Sequence, residues 1–277
     1  MLITDEIVYL ELQKTGCSHT LEILKELYNK NSKIIGKHNT YDSIKKDDLG
    51  NFESKLKIGN IRNPWDWYVS LWAFGCQRKG RLYNLVTNQN KGKLFSKKRA
   101  KSLLREKIGF NYPKLDSKVW SKLYLDPFKI ENFSSWLKLI LTFGKHDIGE
   151  GYKNSEMSSF AGLLTYRYIK LYTYGGKKYA KKICSLSELI EINKSRNFID
   201  VIIKTENLHR NILDIPEIIK QKKKKKQILK KYKEKVNPSI RFSDYRKYYN
   251  KRTFGLVDKY EKFIINEHNY KFDSIQN

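Results

Sequence analysis

Twice in its first 76 residues the chain passes from a short apolar run, through a turn, into a segment with helical spacing. The first run, residues 7–12, alternates and opens with Ile7, Val8 and Tyr9, which predicts a strand. Residues 18–29 then set Leu21, Leu24, Leu27 and Tyr28 on one face, which predicts a helix. The second run, LKIGNIR over 56–62, ends at Asn63-Pro64, and a proline there suits the first turn of the following helix, WDWYVSLWAFG. Between them KIIG, 33–36, reads as a further short strand. Strands alternating with helices predict an α/β fold, a central parallel β-sheet flanked by helices.

The turn of the first junction is Gln13-Lys14-Thr15-Gly16-Cys17-Ser18-His19-Thr20. Packing does not require a lysine, a glycine and small polar residues between a strand and a helix. A bound anion does: a helix start offers free N–H groups and partial positive charge, Lys14 adds a full charge, and Thr15, Ser18 and Thr20 add hydroxyls. Standing alone, the segment is read equally well as an ordinary polar turn. The phosphate loop of nucleotide triphosphatases places its lysine after a second glycine, whereas Lys14 precedes the only glycine here, which disfavours a magnesium-dependent ATPase. The second junction carries Arg62 at the strand end and Ser70 eight residues on. A guanidinium is a planar fork suited to phosphate. Parallel strands end on one sheet edge, so Lys14 and Arg62 are expected to grip two ends of one doubly phosphorylated nucleotide.

Charge is the next constraint. The 277 residues carry a net charge of +27, a field that attracts nucleic acid, anionic membrane, acidic glycans or a phosphorylated cofactor. The plainer source is compositional, since Lys, Asn, Ile and Tyr are all abundant, as in AT-rich genomes. Hydrophobic residues at 40% are enough for a core, so disorder throughout is not expected. Three cysteines without short spacing, Cys17, Cys76 and Cys184, argue against a disulfide framework or a zinc site. The acidic start MLITDEIVYLEL does not resemble a signal peptide, and no run of about 18 apolar residues occurs. A reducing cytoplasmic compartment is expected.

The remainder is less legible. Basic stretches lie at 77–81 (QRKGR) and 92–107; 127–143 and 161–174 read as helices, and 149–154 as a loop. NFIDVIIKTENL, 197–208, reads as a buried strand, Val201 to Ile203, before a polar turn. The run Lys222 to Lys226 is by default a solvated face or a disordered patch. Residues 252–272 predict an amphipathic helix through Leu256, Val257, Tyr260, Phe263 and Ile264. With no repeat and no linker, one domain over 1–277 is expected: a sheet core from 5–75 and 195–215, a variable helical insert over about 77–195, and a C-terminal helix over 250–272. Trp65 and Trp72 share a helix face and are expected to pack rather than to hold an adenine.

Four stretches, in order, resemble the sulfotransferases that use 3′-phosphoadenosine 5′-phosphosulfate (PAPS). QKTGCSHT is similar to their 5′-phosphosulfate loop, and IRNPWDWYVSLW to their 3′-phosphate motif. FIDVIIKTENL resembles their late strand ending in Glu-Asn/Asp-Leu. The segment from 236 to 273, with Asn237-Pro238-Ser239, Tyr248-Tyr249 and a helix ending in Tyr270-Lys271-Phe272, resembles the closing part of membrane-type carbohydrate sulfotransferases and their bacterial relatives. The match spans residues 7–273 and is loose over 82–196. It implies a P-loop-like three-layer sandwich and transfer of a sulfuryl group from PAPS, as co-substrate and without a metal, to a hydroxyl, expected on a carbohydrate. By resemblance, Lys14, Thr15, Gly16, Cys17, Ser18, His19 and Thr20 cradle the 5′-phosphosulfate, with Lys14 also neutralising the leaving oxygen, and Arg62 and Ser70 clamp the 3′-phosphate. Three residues depart from the pattern: Gln13 stands for a proline, and Cys17 and His19 for small hydroxyl residues or glycine.

Such a transfer needs a general base, a His or a Glu in this family. His38, after the second short strand, is the expected base; a surface histidine is the plainer reading, His19 the rival, and His146, His209 and His268 lie less favourably. Glu206 is read as bonding backbone at the sheet edge, with a direct active-site role as the alternative. Arg78, Lys79 and Arg81 either reach the cofactor phosphate or an anionic acceptor, or are solvated. Two other classes compete. A charge-driven nucleic-acid-binding protein lacks a legible recognition motif, and a P-loop nucleotide kinase lacks the lysine position and a magnesium acid. A cytoplasmic bacterial or viral enzyme is the expected setting, with the oligomeric state open.

Overall fold

A computed structural model of the chain describes residues 1–28, 32–44, 52–87, 116–142, 148–219, 231–232 and 239–272. The run Lys222–Lys226, the basic stretch 92–107 and His146 lie outside them. Leu2–Ile3 (β1) and Ile7–Leu10 (β2) are joined tightly: the Thr4 hydroxyl accepts from the Ile7 amide at 2.9 Å. Cys17–Tyr28 (α1) follows, then Lys33–Ile34 (β3), Leu56–Ile61 (β4) and Pro64–Cys76 (α2). Val201–Lys204 (β5) completes a five-stranded sheet of order β3-β1-β2-β4-β5.

The sheet is mixed rather than wholly parallel. β2, β4 and β5 run parallel, in registers Tyr9↔Ile58 and Ile58↔Val201, while β1 is antiparallel to both β2 and β3. The reason is local: a connection as short as Thr4–Glu6 can only reverse the chain, because a parallel return needs a long crossover. A two-residue strand has no periodicity to read, so β1 escaped the sequence pattern.

Alternation along β2 divides the core. Ile7 and Tyr9 pack with Ile23, Leu24 and Leu27 of α1 and with Ile58 and Ile203. Val8 and Leu10 join a larger cluster with Trp65, Trp67 and Trp72 of α2. That cluster extends through Ile130–Leu141 (α3) and Leu163–Tyr172 (α4), so helices flank the sheet. Helix α2 is apolar nearly all round and is buried to match. Its three indoles pack in the core, Trp65 stacking on Phe254, as expected for Trp65 and Trp72.

The C-terminal helix expected over 250–272 is two helices, Lys251–Tyr260 (α5) and Lys262–Glu267 (α6). The break falls at Glu261, a fully buried carboxylate. Its oxygens accept from Tyr68 Oη (2.5 Å), the amides of Leu164 and Thr165 (3.0 Å each) and Thr165 Oγ1 (2.6 Å). Glu261 therefore caps the first turn of α4, whose own N-cap, Gly162, has no side chain to do so. A Cβ on Gly162 would stand 2.0 Å from Glu261 Oε1, so the glycine leaves room for the cap. Among the described residues no helix is long and apolar enough to cross a membrane.

Candidate anion-binding cleft

The turn between β2 and α1 is bent by two left-handed residues, Lys14 (φ 63°) and Gly16 (φ 76°). Such conformations fold successive amides into a concave cradle. A Cβ at Gly16 would also meet Leu208 Cδ1 at 2.8 Å, so a side chain there would displace Leu208 as well as strain the backbone. The amides of Cys17, Ser18 and His19 precede the first helical bond, Thr20 N to Gly16 O at 3.0 Å. The turn is fixed from beneath: Asn60 Nδ2 donates to Thr15 O (3.2 Å) and Thr20 Oγ1 (3.0 Å), and Thr205 Oγ1 reaches Thr15 O (2.8 Å) and Ile61 O (2.9 Å).

The hydroxyls of Thr15 and Thr20 are thus structural. Thr15 Oγ1 donates to Leu12 O at 2.7 Å, and both residues are fully buried, which corrects the expectation that their hydroxyls face a ligand. Cys17 is a buried filler whose thiol burial pushes up to about 11. Ser18 keeps a site-facing hydroxyl, which accepts from Lys37 Nζ at 3.0 Å. His19 pairs with His209, Nε2 to Nε2, at 2.9 Å.

At the second junction, Asn63 caps α2 by accepting from the amides of Trp65 and Asp66. Arg62 donates through Nε to Asp66 Oδ2 (2.7 Å) and through Nη1 to Lys14 O (3.1 Å). The junctions therefore touch directly. Asp66 also meets Arg241 Nη1 at 2.6 Å. Burial works to raise the Asp66 pKa, but the two guanidinia hold the carboxyl below its usual range. Glu206 accepts from the Asn63 amide at 2.6 Å and from Tyr270 Oη at 3.3 Å, a backbone-holding role at the sheet edge.

These groups open on one cleft of about 1210 Å³. Lys14, Gly16, Cys17, Ser18, His19, His38, Arg62 and Ser70 line it; Thr15 and Thr20 do not. Nine Lys or Arg residues and two Glu share the lining, so its field is strongly positive. Lys14 Nζ lies 3.8 Å from the centre of the Phe74 ring and 3.3 Å from Ser239 Oγ. Burial, then the nearby Arg62 charge, pulls its ammonium down to about 7. His38 (φ 58°) contacts Glu11 O through Nδ1 at 2.7 Å. A carbonyl only accepts, so Nδ1 carries the proton and the neutral ring keeps Nε2 as a base. Burial lowers its pKa; the bond to Glu11 and the Glu11 charge oppose that, and the charges of Lys37 and Arg167 add to it.

The sequence reading missed Ser239 and Arg241 as site residues, although Ser239 stood in a stretch already singled out. Lys79 and Arg81 join the lining, and so do Lys37, Glu150, Arg167 and Lys170, for which no motif spoke. The chain gives no significant match to any family model, curated protein or solved structure.

Proposed function

We propose that the protein is a PAPS-dependent sulfotransferase acting on a hydroxyl, expected on a carbohydrate. The observation that carries this reading is that Lys14 and Ser18 of one strand–helix turn, and Arg62 and Ser70 of the next, line one cationic cleft. The donor set fits a nucleotide with phosphates at two ends: the amides at the start of α1 and Lys14 for the 5′ group, Arg62 and Ser70 for the 3′ group. The parallel β2–β4–β5 segment with helices on both sides supports the finer description, a P-loop-like three-layer sandwich.

The donor supplies an activated sulfuryl group, whose S–O bond to the 5′-phosphate breaks as the acceptor oxygen bonds to sulfur. The chain supplies position, charge and a proton acceptor. Lys14 regains its full charge beside an anion and stabilises the departing phosphate. His38, held by Glu11 O in the tautomer with Nε2 unprotonated, takes the acceptor proton. Asp66 fixes Arg62 and Arg241 before ligand arrives, so little ordering remains for binding.

Calorimetry with 3′,5′-adenosine bisphosphate against ATP–magnesium tests the proposal. The bisphosphate is expected to bind, and Lys14→Ala and Arg62→Ala each to weaken it by at least about tenfold. Binding of ATP–magnesium alone, or unchanged bisphosphate affinity in both variants, would sink it.

A further inference from the structure

We propose that the cleft holds a second anion subsite, built by Arg167, Lys170 and Arg81 beside His38, and that the acceptor carries a carboxylate or sulfate ester there. This rests on the function proposed above. Arg167 lies in α4 and is buried, yet it lines the cleft. Its Nε and Nη2 are held by Glu150 at 3.3 and 2.9 Å, and its face lies 5.5 Å from the Trp67 ring. Among the described residues its buried Nη1 has no hydrogen-bond partner. A buried guanidinium N–H without an acceptor is costly, and an arriving anion removes that cost.

The surroundings make the subsite cationic. Lys170, three positions on from Arg167 in the same helix, reaches Glu150 at 3.7 Å, and the charge of Arg81 acts on both Glu150 and Lys170. One carboxylate therefore faces three cations, leaving charge for a ligand. Glu150 (φ 63°) sits between Gly149 and Gly151, both also left-handed, a backbone bent to present its carboxylate. Arg167 and His38 line the same cleft, so an anion on Arg167 shares that cleft with the base. A hydroxyl a few bonds from that anion is thereby brought to His38. Lys14 and Arg62, in the same lining, remain for the donor.

The test uses the full chain with saturating 3′,5′-adenosine bisphosphate at about 0.15 M salt, where long-range attraction is screened. The probes are a uronic acid-containing disaccharide, its methyl ester, and that ester carrying one O-sulfate. Both anionic sugars are expected to bind at least about tenfold more tightly than the neutral ester. Lys170→Gln and Arg167→Gln are expected to erase that preference while bisphosphate affinity holds, which also shows that the variants fold. Lys251→Gln removes a charge from an exposed helix end outside the lining and is expected to change nothing. Equal binding of charged and neutral sugars, or a preference that survives both cleft variants, overturns the subsite and leaves the donor reading standing. Failure of the wild type to bind the bisphosphate overturns the function, and the acceptor with it.

Discussion

Lys14 and His38 share an unusual backbone: both are non-glycine residues in the left-handed region. Strain of that kind costs about 1–3 kcal/mol at a residue and persists where the surroundings over-determine it. Residue types made Lys14, Arg62 and His38 legible in the sequence, but their torsions were not. Nor was the inward turn of Thr15 and Thr20, whose partners are Leu12 O for the one hydroxyl and Asn60 of β4 for the other. The depressed ammonium of Lys14 gives a signed expectation. At about pH 8 the free lysine is mostly neutral; beside a bound anion its pKa climbs back towards 10.5, so binding takes up a proton. Below about pH 6 it is charged in both states and uptake vanishes. Calorimetry in buffers of different ionisation enthalpy reads this directly, and Lys14→Ala is expected to abolish it. His38→Gln is expected to lower kcat by about 10²–10⁴ while leaving bisphosphate affinity intact. In the wild type, kcat is expected to fall with pH only below the ordinary histidine range, because burial lowers the His38 pKa.

At the scale of elements, periodicity exposed β2, β4, β5, α1 and α2, since each is long enough to repeat its pattern. It missed β1, which is two residues long, and the break inside the last helix, because a tertiary cap and not local propensity sets that break. Gly16→Ala puts a side chain into a left-handed turn against Leu208, and a loss of about 2 kcal/mol is expected in urea denaturation. Glu261→Gln places an amide N–H₂ among groups that donate, at an expected cost of about 1–3 kcal/mol. Burial raises the Glu261 carboxyl to about 7, from an ordinary 4.5. The folded chain then keeps a proton that the unfolded chain releases, so this contribution is complete below 4.5 and is lost as pH rises through about 7. The gap between wild type and Glu261→Gln is expected to narrow over that window. Unfolding curves at several pH values check it.

For the molecule as a whole, composition announced a strong field but not its focus; the cleft gathers residues from Lys14 to Arg241, and only folding brings them together. The +27 charge is expected to give weak, sequence-blind DNA binding that collapses as salt rises. Bisphosphate binding, gripped by half-buried and buried groups, is expected to decline less over the same salt range, a comparison one titration series provides. The pairing of β4 with β5 has a temporal side. The bonds from the Lys57 amide to Asp200 and from the Asn63 amide to Glu206 each join residues 143 positions apart. Loop closure on that scale slows folding, and parallel pairing offers no hairpin shortcut. While the chain is being synthesised, the turn around Lys14 emerges long before Thr205 exists to support it. The ligand cradle is therefore among the last parts to become native, and a ribosome-bound chain halted before β5 is expected to ignore the bisphosphate.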